Sequence, residues 1–143
     1  MQRAVRLSLK HPQTHELARA LLVEAAGDSP PGPPSRETMH RYCALLHRWL
    51  RSVVWYQEVP EVVGTVPQLI RHPAGDCDDT TAAALALTTA VGLQPTFREA
   101  HRGSLRHVWC EVPSLGLALD SQVTWSDARG ADPRETLIER GWD

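Results

Sequence analysis

Cys77, His107 and Asp120 occur in that order along a chain of 143 residues, and together they supply a nucleophile, a proton carrier and an orienting carboxylate. A thiol attacks as its thiolate, and an ordinary cysteine, with a pKa of ~8.5, is mostly protonated at neutral pH. Two influences favour the thiolate: unpaired N–H groups at a helix N-terminus and a neighbouring imidazolium. The stretch "GDCDDTTAAALALTTAVG", residues 75–92, sets Cys77 at the start of an alanine-rich run with helical character. Gly75 permits a sharp turn into that helix. Asp76, Asp78 and Asp79 oppose a thiolate if their carboxylates face it, so they read better as caps and turn-formers bonded to backbone N–H groups. An acidic setting also makes a compensating imidazolium more necessary. His107 in "LRHVWCEV" can provide it. A turn centred near Pro113–Ser114 folds the following "LGLALDSQV" back, which brings Asp120 roughly opposite His107, within about one residue of register. A carboxylate there fixes the tautomer of the ring and stabilises its charged form.

Each of these residues has a plainer reading. Free cysteines are most often small buried side chains. The combination with a matched His and Asp favours a reactive Cys77. The three aspartates are not followed by further carboxylates at EF-hand spacing, so capping is preferred to cation binding. His40, Cys43 and His47 share one helical face, a spacing that zinc could use. Cys43, however, falls within an apolar stripe, and core packing is the better reading. Cys110 alternates to the strand face opposite His107 and reads as core. Trp109 shares the His107 face, where it can wall the site or simply pack. His72 and His101 have no visible partner and read as solvated.

The elements that must position these groups follow from periodicity and punctuation. Residues 13–26 show apolar helical spacing and stop at Gly27. "DSPPGPP" places four prolines in seven residues, an extended linker across which the first helix is expected to dock loosely. Ser35 caps a second helix, with Glu37 in its first turn and a stripe from Met39 through Tyr42, Cys43, Leu46, Trp49 and Leu50 to Val53. Residues 53–75, broken by prolines, read as a long loop wrapping towards the site. The third helix spans Cys77 to about Gly92 and is buried on most sides. "QPTFREA", "RHVWCEV" and "LGLALDSQV" then read as strands. Asp132 and Pro133 can start a short last helix. Helices followed by an antiparallel sheet make an α+β arrangement, with the nucleophile helix packed on a small sheet.

"GDCDDTTAAALALTTAVGLQP", "RHVWCEV" and "LALD" together resemble the core of the transglutaminase-like superfamily. The form with "GDCDD" is most similar to small transglutaminase-like cysteine proteins of bacteria and tailed bacteriophages. The resemblance covers residues 35–123. It implies a papain-like fold core, Cys77 as nucleophile, His107 as base and Asp120 as orienter, and neither metal nor organic cofactor. It also implies acyl transfer through a thioester to water or to an amine, most readily peptide or amide hydrolysis on a protein or peptide substrate. Besides the Cys77 amide, Trp55 and Gln57 are candidate oxyanion or substrate residues, with Trp109 beside them. Some members of that superfamily act as scaffolds, so the alternative is a non-catalytic accessory or interaction module, for instance in phage particles. Because the prolines break continuity with the first helix, the chain is expected to divide into residues 1–34, an N-terminal helix with its linker, and a domain of 35–143 that folds without them.

Composition bounds the remaining choices. The length suits one self-sufficient domain, and a formal charge of −2 with no basic block argues against nucleic-acid binding. No apolar run approaches the ~20 residues needed to cross a bilayer, and the first residues lack a secretion signal. Three cysteines at irregular spacing suit free thiols in a reducing, cytoplasmic setting.

Overall fold

A computed structural model describes residues 1–56 and 63–129. The described order is α1 (Gln2–Leu9), α2 (Pro12–Ala26), α3 (Arg36–Ser52), β1 (Val54–Trp55), α4 (Val66–Arg71), β2 (Ala74–Gly75), α5 (Cys77–Ala90), β3 (Thr96–Arg102), β4 (Leu105–Val112), β5 (Leu117–Leu119) and α6 (Trp125–Arg129). The class is α+β. Strands β3, β4 and β5 form one antiparallel sheet in that order, and β1 and β2 pair in parallel as a separate ribbon.

Helix α5 is the hub. Its Ala83, Ala84, Ala86 and Leu87 are buried in one hydrophobic cluster with Tyr42, Cys43, Leu46 and Leu50 of α3 and Cys110 and Val112 of β4. Small alanine side chains let neighbouring backbones approach a helix closely, which explains how several elements pack round α5. Two polar bonds fix its orientation. The Tyr42 hydroxyl donates to the Leu87 carbonyl at 2.6 Å, and the Thr81 hydroxyl donates to the Val108 carbonyl at 3.2 Å. The second bond ties the helix that begins at Cys77 to the strand that carries His107.

The N-terminal region departs from the expectation of one loosely docked helix. Two helices are present, divided where Pro12 takes the first turn of α2, since proline has no N–H to continue α1. Ala18 and Ala25 of α2 belong to the same buried cluster as α3 and α5, and the Ser8 hydroxyl of α1 accepts the Val66 amide of α4 at 3.0 Å. The proline linker lets the chain reverse direction, but it does not separate two cores.

The expected second helix forms with Ser35 as its cap, whose hydroxyl accepts the Thr38 amide at 3.1 Å. The region read as one loop holds β1, α4 and β2, each too short to give a periodic signal. β3 and β4 join through Gly103–Ser104, where Gly103 has φ +60°, a conformation costly for other residues. The helix expected near Asp132 and Pro133 lies outside the described residues. No helix among the described residues is long and apolar enough to cross a membrane.

Candidate functional site

Cys77 is the first residue of α5, and the acidic residues round it each have a backbone or cationic partner. Asp76 is the cap: its Oδ1 accepts the amides of Asp78 at 3.0 Å and Asp79 at 3.3 Å. The cap is thus spent on the second and third amides of the helix, not on that of Cys77. Asp79 reaches back, its Oδ2 accepting the Asp76 amide at 2.9 Å and its Oδ1 the Gly64 amide at 2.6 Å. One carboxylate therefore clamps the approaching 63–65 segment to the start of the helix. Burial raises the Asp79 carboxyl above its ordinary value, against the two amides that lower it. Gly75 makes the clamp possible. A Cβ there would sit 2.7 Å from Asp79 Oδ2 and 2.8 Å from Asp79 Cβ, so the requirement is close approach. Asp78 lies 3.8 Å from the Arg106 guanidinium.

His107 is buried on β4, and its Nε2 bonds to Asp120 Oδ2 at 2.6 Å. The Cys77 thiol lies in hydrogen-bonding reach of the same imidazole. Since Nε2 is committed to Asp120, Nδ1 is the nitrogen left for the thiol. Burial lowers the pKa of this ring, but the bonds and charges of Asp120 and Cys77 outweigh it and push the value up to about 9. Cys77 is partly accessible, whereas Cys43 and Cys110 are buried. Burial drives the Cys43 thiol up to about 12 and that of Cys110 higher still.

The register that joins His107 to Asp120 differs by one residue from the sequence expectation. β5 pairs Cys110 with Leu119 and Val112 with Leu117, so continuing that register sets Asp120 against Trp109. Asp120 is offset from His107 by two residues, not one. The difference matters because an offset of one would place the two side chains on opposite faces, whereas an offset of two makes them diagonal neighbours. Asp120 follows the last residue of β5, where the chain turns. Its Oδ1 accepts the Gln122 amide at 2.9 Å, which holds the carboxylate with Oδ2 free for His107.

The secondary site residues fare differently. Trp109 is 1% exposed and stacks on His107 with ring centroids 6.0 Å apart, so it backs the imidazole and offers no surface to a substrate. Trp55 pairs with Gly75 through the β1–β2 ribbon, two residues before Cys77, and the residue is 62% exposed. Gln57 lies outside the described residues. His40, Cys43 and His47 do not form a metal cluster, and none of three or more His, Cys, Asp or Glu occurs among the described residues.

Sequence reasoning considered His47 only as part of a possible zinc set and missed its contact with Asp120. His47 is 1% exposed, and its Nε2 lies 2.9 Å from the Asp120 carbonyl oxygen. The available signal was a histidine on the buried face of an amphipathic helix, a position that demands a polar partner.

A scan against protein-family models, a search of curated proteins and a search of solved structures found no match to this chain.

Proposed function

We propose that the chain is a transglutaminase-like cysteine enzyme that performs acyl transfer through a thioester, most readily the hydrolysis of a peptide or amide. The observation that carries this reading is the continuous chain of contacts from Cys77 through His107 to Asp120, with the thiol at the first position of a buried helix. A papain-like arrangement, with the nucleophile helix against the strand bearing the histidine, is part of the same proposal.

An imidazole held near 9 carries its proton at neutral pH, so in the proposed cycle His107 enters as the imidazolium, and Cys77 attacks in the thiolate form that thiol chemistry requires. The sulfur attacks the carbonyl carbon of the substrate, and the carbonyl π electrons move to oxygen. The amide of Cys77, at the positive end of α5, is placed to stabilise that oxyanion. As the tetrahedral intermediate collapses, the C–N bond breaks and the leaving amine takes the proton from His107. The neutral ring next removes a proton from water, whose oxygen attacks the thioester. The C–S bond breaks, the carboxylic acid departs, and the thiolate and imidazolium are restored. An amine in place of water gives transamidation by the same steps. Throughout, Asp120 holds the ring orientation and compensates its charge.

An activated ester tests this without knowledge of the natural substrate. Incubation with p-nitrophenyl acetate should release a burst of nitrophenolate and leave an acetyl group that peptide mapping assigns to Cys77. Cys77→Ala should abolish the burst, and His107→Ala should slow it by about 10²-fold or more. Iodoacetamide at about pH 6 should likewise modify Cys77 ahead of Cys43 and Cys110. A folded protein that gives no acetyl-Cys77, and whose Cys77 alkylates no faster than a free small-molecule thiol, would favour the non-catalytic module instead.

A further inference from the structure

The turn after β5 is gripped from two sides. From α3, His47 meets the Asp120 carbonyl at 2.9 Å, and Arg51, one helical turn later, donates to the Val123 carbonyl. From α5, the Thr80 hydroxyl meets the Ser121 hydroxyl at 3.0 Å. β5 is three residues long and ends at Leu119, so β-ladder pairing does not extend to Asp120 itself. The direction of its carboxylate is therefore set by these side-chain anchors together with two bonds within the turn, Gln122 amide to Asp120 Oδ1 and Val123 amide to Asp120 carbonyl at 3.2 Å.

We propose that His47 is a positioning residue for the candidate triad, donating its Nε2 proton to the Asp120 carbonyl and thereby fixing the turn that aims the Asp120 carboxylate at His107. This rests on the acyl-transfer reading for its catalytic consequence, but not for its structural one. Burying an imidazole without a hydrogen bond is unfavourable, so an almost wholly enclosed ring whose Nε2 meets this carbonyl identifies the contact that repays its burial. Packing confines the ring as well. Trp125 of α6 lies with its centroid 5.6 Å from that of His47, and it also meets His40 edge-on at 5.7 Å. The charged groups acting on His47 are Arg51 on its own helix and Asp120 across the contact. Burial, aided by Arg51, lowers its pKa against the raising effect of Asp120, so the ring is neutral at neutral pH. A neutral ring that bonds a carbonyl through Nε2 must be the Nε2–H tautomer.

Two polar substitutions separate this role from simple packing. Gln places its amide nitrogen where Nε2 lies, whereas Asn is one methylene shorter and falls short of the carbonyl. In the full chain, His47→Gln should keep the His107 titration, followed by NMR, within about half a unit of wild type, with acetylation of Cys77 by p-nitrophenyl acetate within about threefold. His47→Asn should lower the His107 pKa by about one unit or more and slow acetylation about 10–100-fold, with the circular dichroism spectrum unchanged. Folded variants that both leave the His107 titration at its wild-type value would overturn the proposal. Should His47→Asn fail to fold, nitrogen NMR of the wild-type ring decides. The Nε2–H tautomer supports the proposal, and the Nδ1–H tautomer overturns it. Absence of acetyl-Cys77 in the wild type would sink the enzymatic reading alone, because the His107 titration still reports whether His47 positions Asp120.

Discussion

Asp120→Asn isolates the charge that holds the proton on His107. The substitution keeps the size of the side chain and an acceptor oxygen opposite Nε2, but removes the negative charge 2.6 Å from the ring. Burial is then opposed by Cys77 alone, and the pKa of His107 should fall from about 9 towards its ordinary 6.5. The whole rise, which Asp120 and Cys77 share, is about two and a half units, or about 3 kcal/mol of imidazolium stabilisation at ~1.4 kcal/mol per unit, and Asp120 makes the larger of the two hydrogen-bond contributions. The sign of the stability effect follows. A histidine whose pKa is raised by folding contributes stability that is complete below about 6.5 and lost as the pH rises through about 9. Urea unfolding of the wild type should therefore show stability declining by up to about 3 kcal/mol across that window, and Asp120→Asn should remove most of the decline. The direct assay is an NMR titration of the His107 ring in the wild type, Asp120→Asn and Cys77→Ala. Cys77→Ala should lower the value less, because the Asp120 hydrogen bond is the larger of the two raising contacts. Acylation by an activated ester should slow by about 10³–10⁴-fold in Asp120→Asn. A folded Asp120→Asn protein whose His107 still titrates near 9, or whose stability retains the wild-type slope above pH 6.5, would refute the assignment of Asp120.

Two further outcomes follow from the packing. Gly75→Ala forces its new Cβ against Asp79, so urea unfolding should show a loss of about 1–3 kcal/mol, and Cys77 alkylation should slow as the helix start shifts. Deleting residues 1–34 removes Ala18 and Ala25 from the common core and the Ser8 acceptor from Val66, so a scanning thermal melt should lose its cooperative transition.

The proximity of Cys77, His107 and Asp120 and the start of α5 were legible in the sequence because their signals are local. A cap followed by an apolar run defines α5 from its own residues, and alternation along "RHVWCEV" assigns His107 and Cys110 to opposite faces. A short turn between two such runs implies antiparallel pairing, which is enough to bring Asp120 near His107. Register was not legible to one residue, because it depends on how β5 ends and on anchors from α3 and α5 that lie far away in sequence. The same limit hid the role of Asp79. Its reach to Gly64 joins residues 15 apart across a proline-broken segment that carries no periodicity. It hid α1 as well, an eight-residue helix stabilised mainly by what it packs upon. Local chemistry thus determined which groups are available, and long-range packing decided where each one points. A hydrogen bond is directional, so the difference between a one-residue and a two-residue offset is the difference between a carboxylate on the far face of the sheet and one bonded to His107.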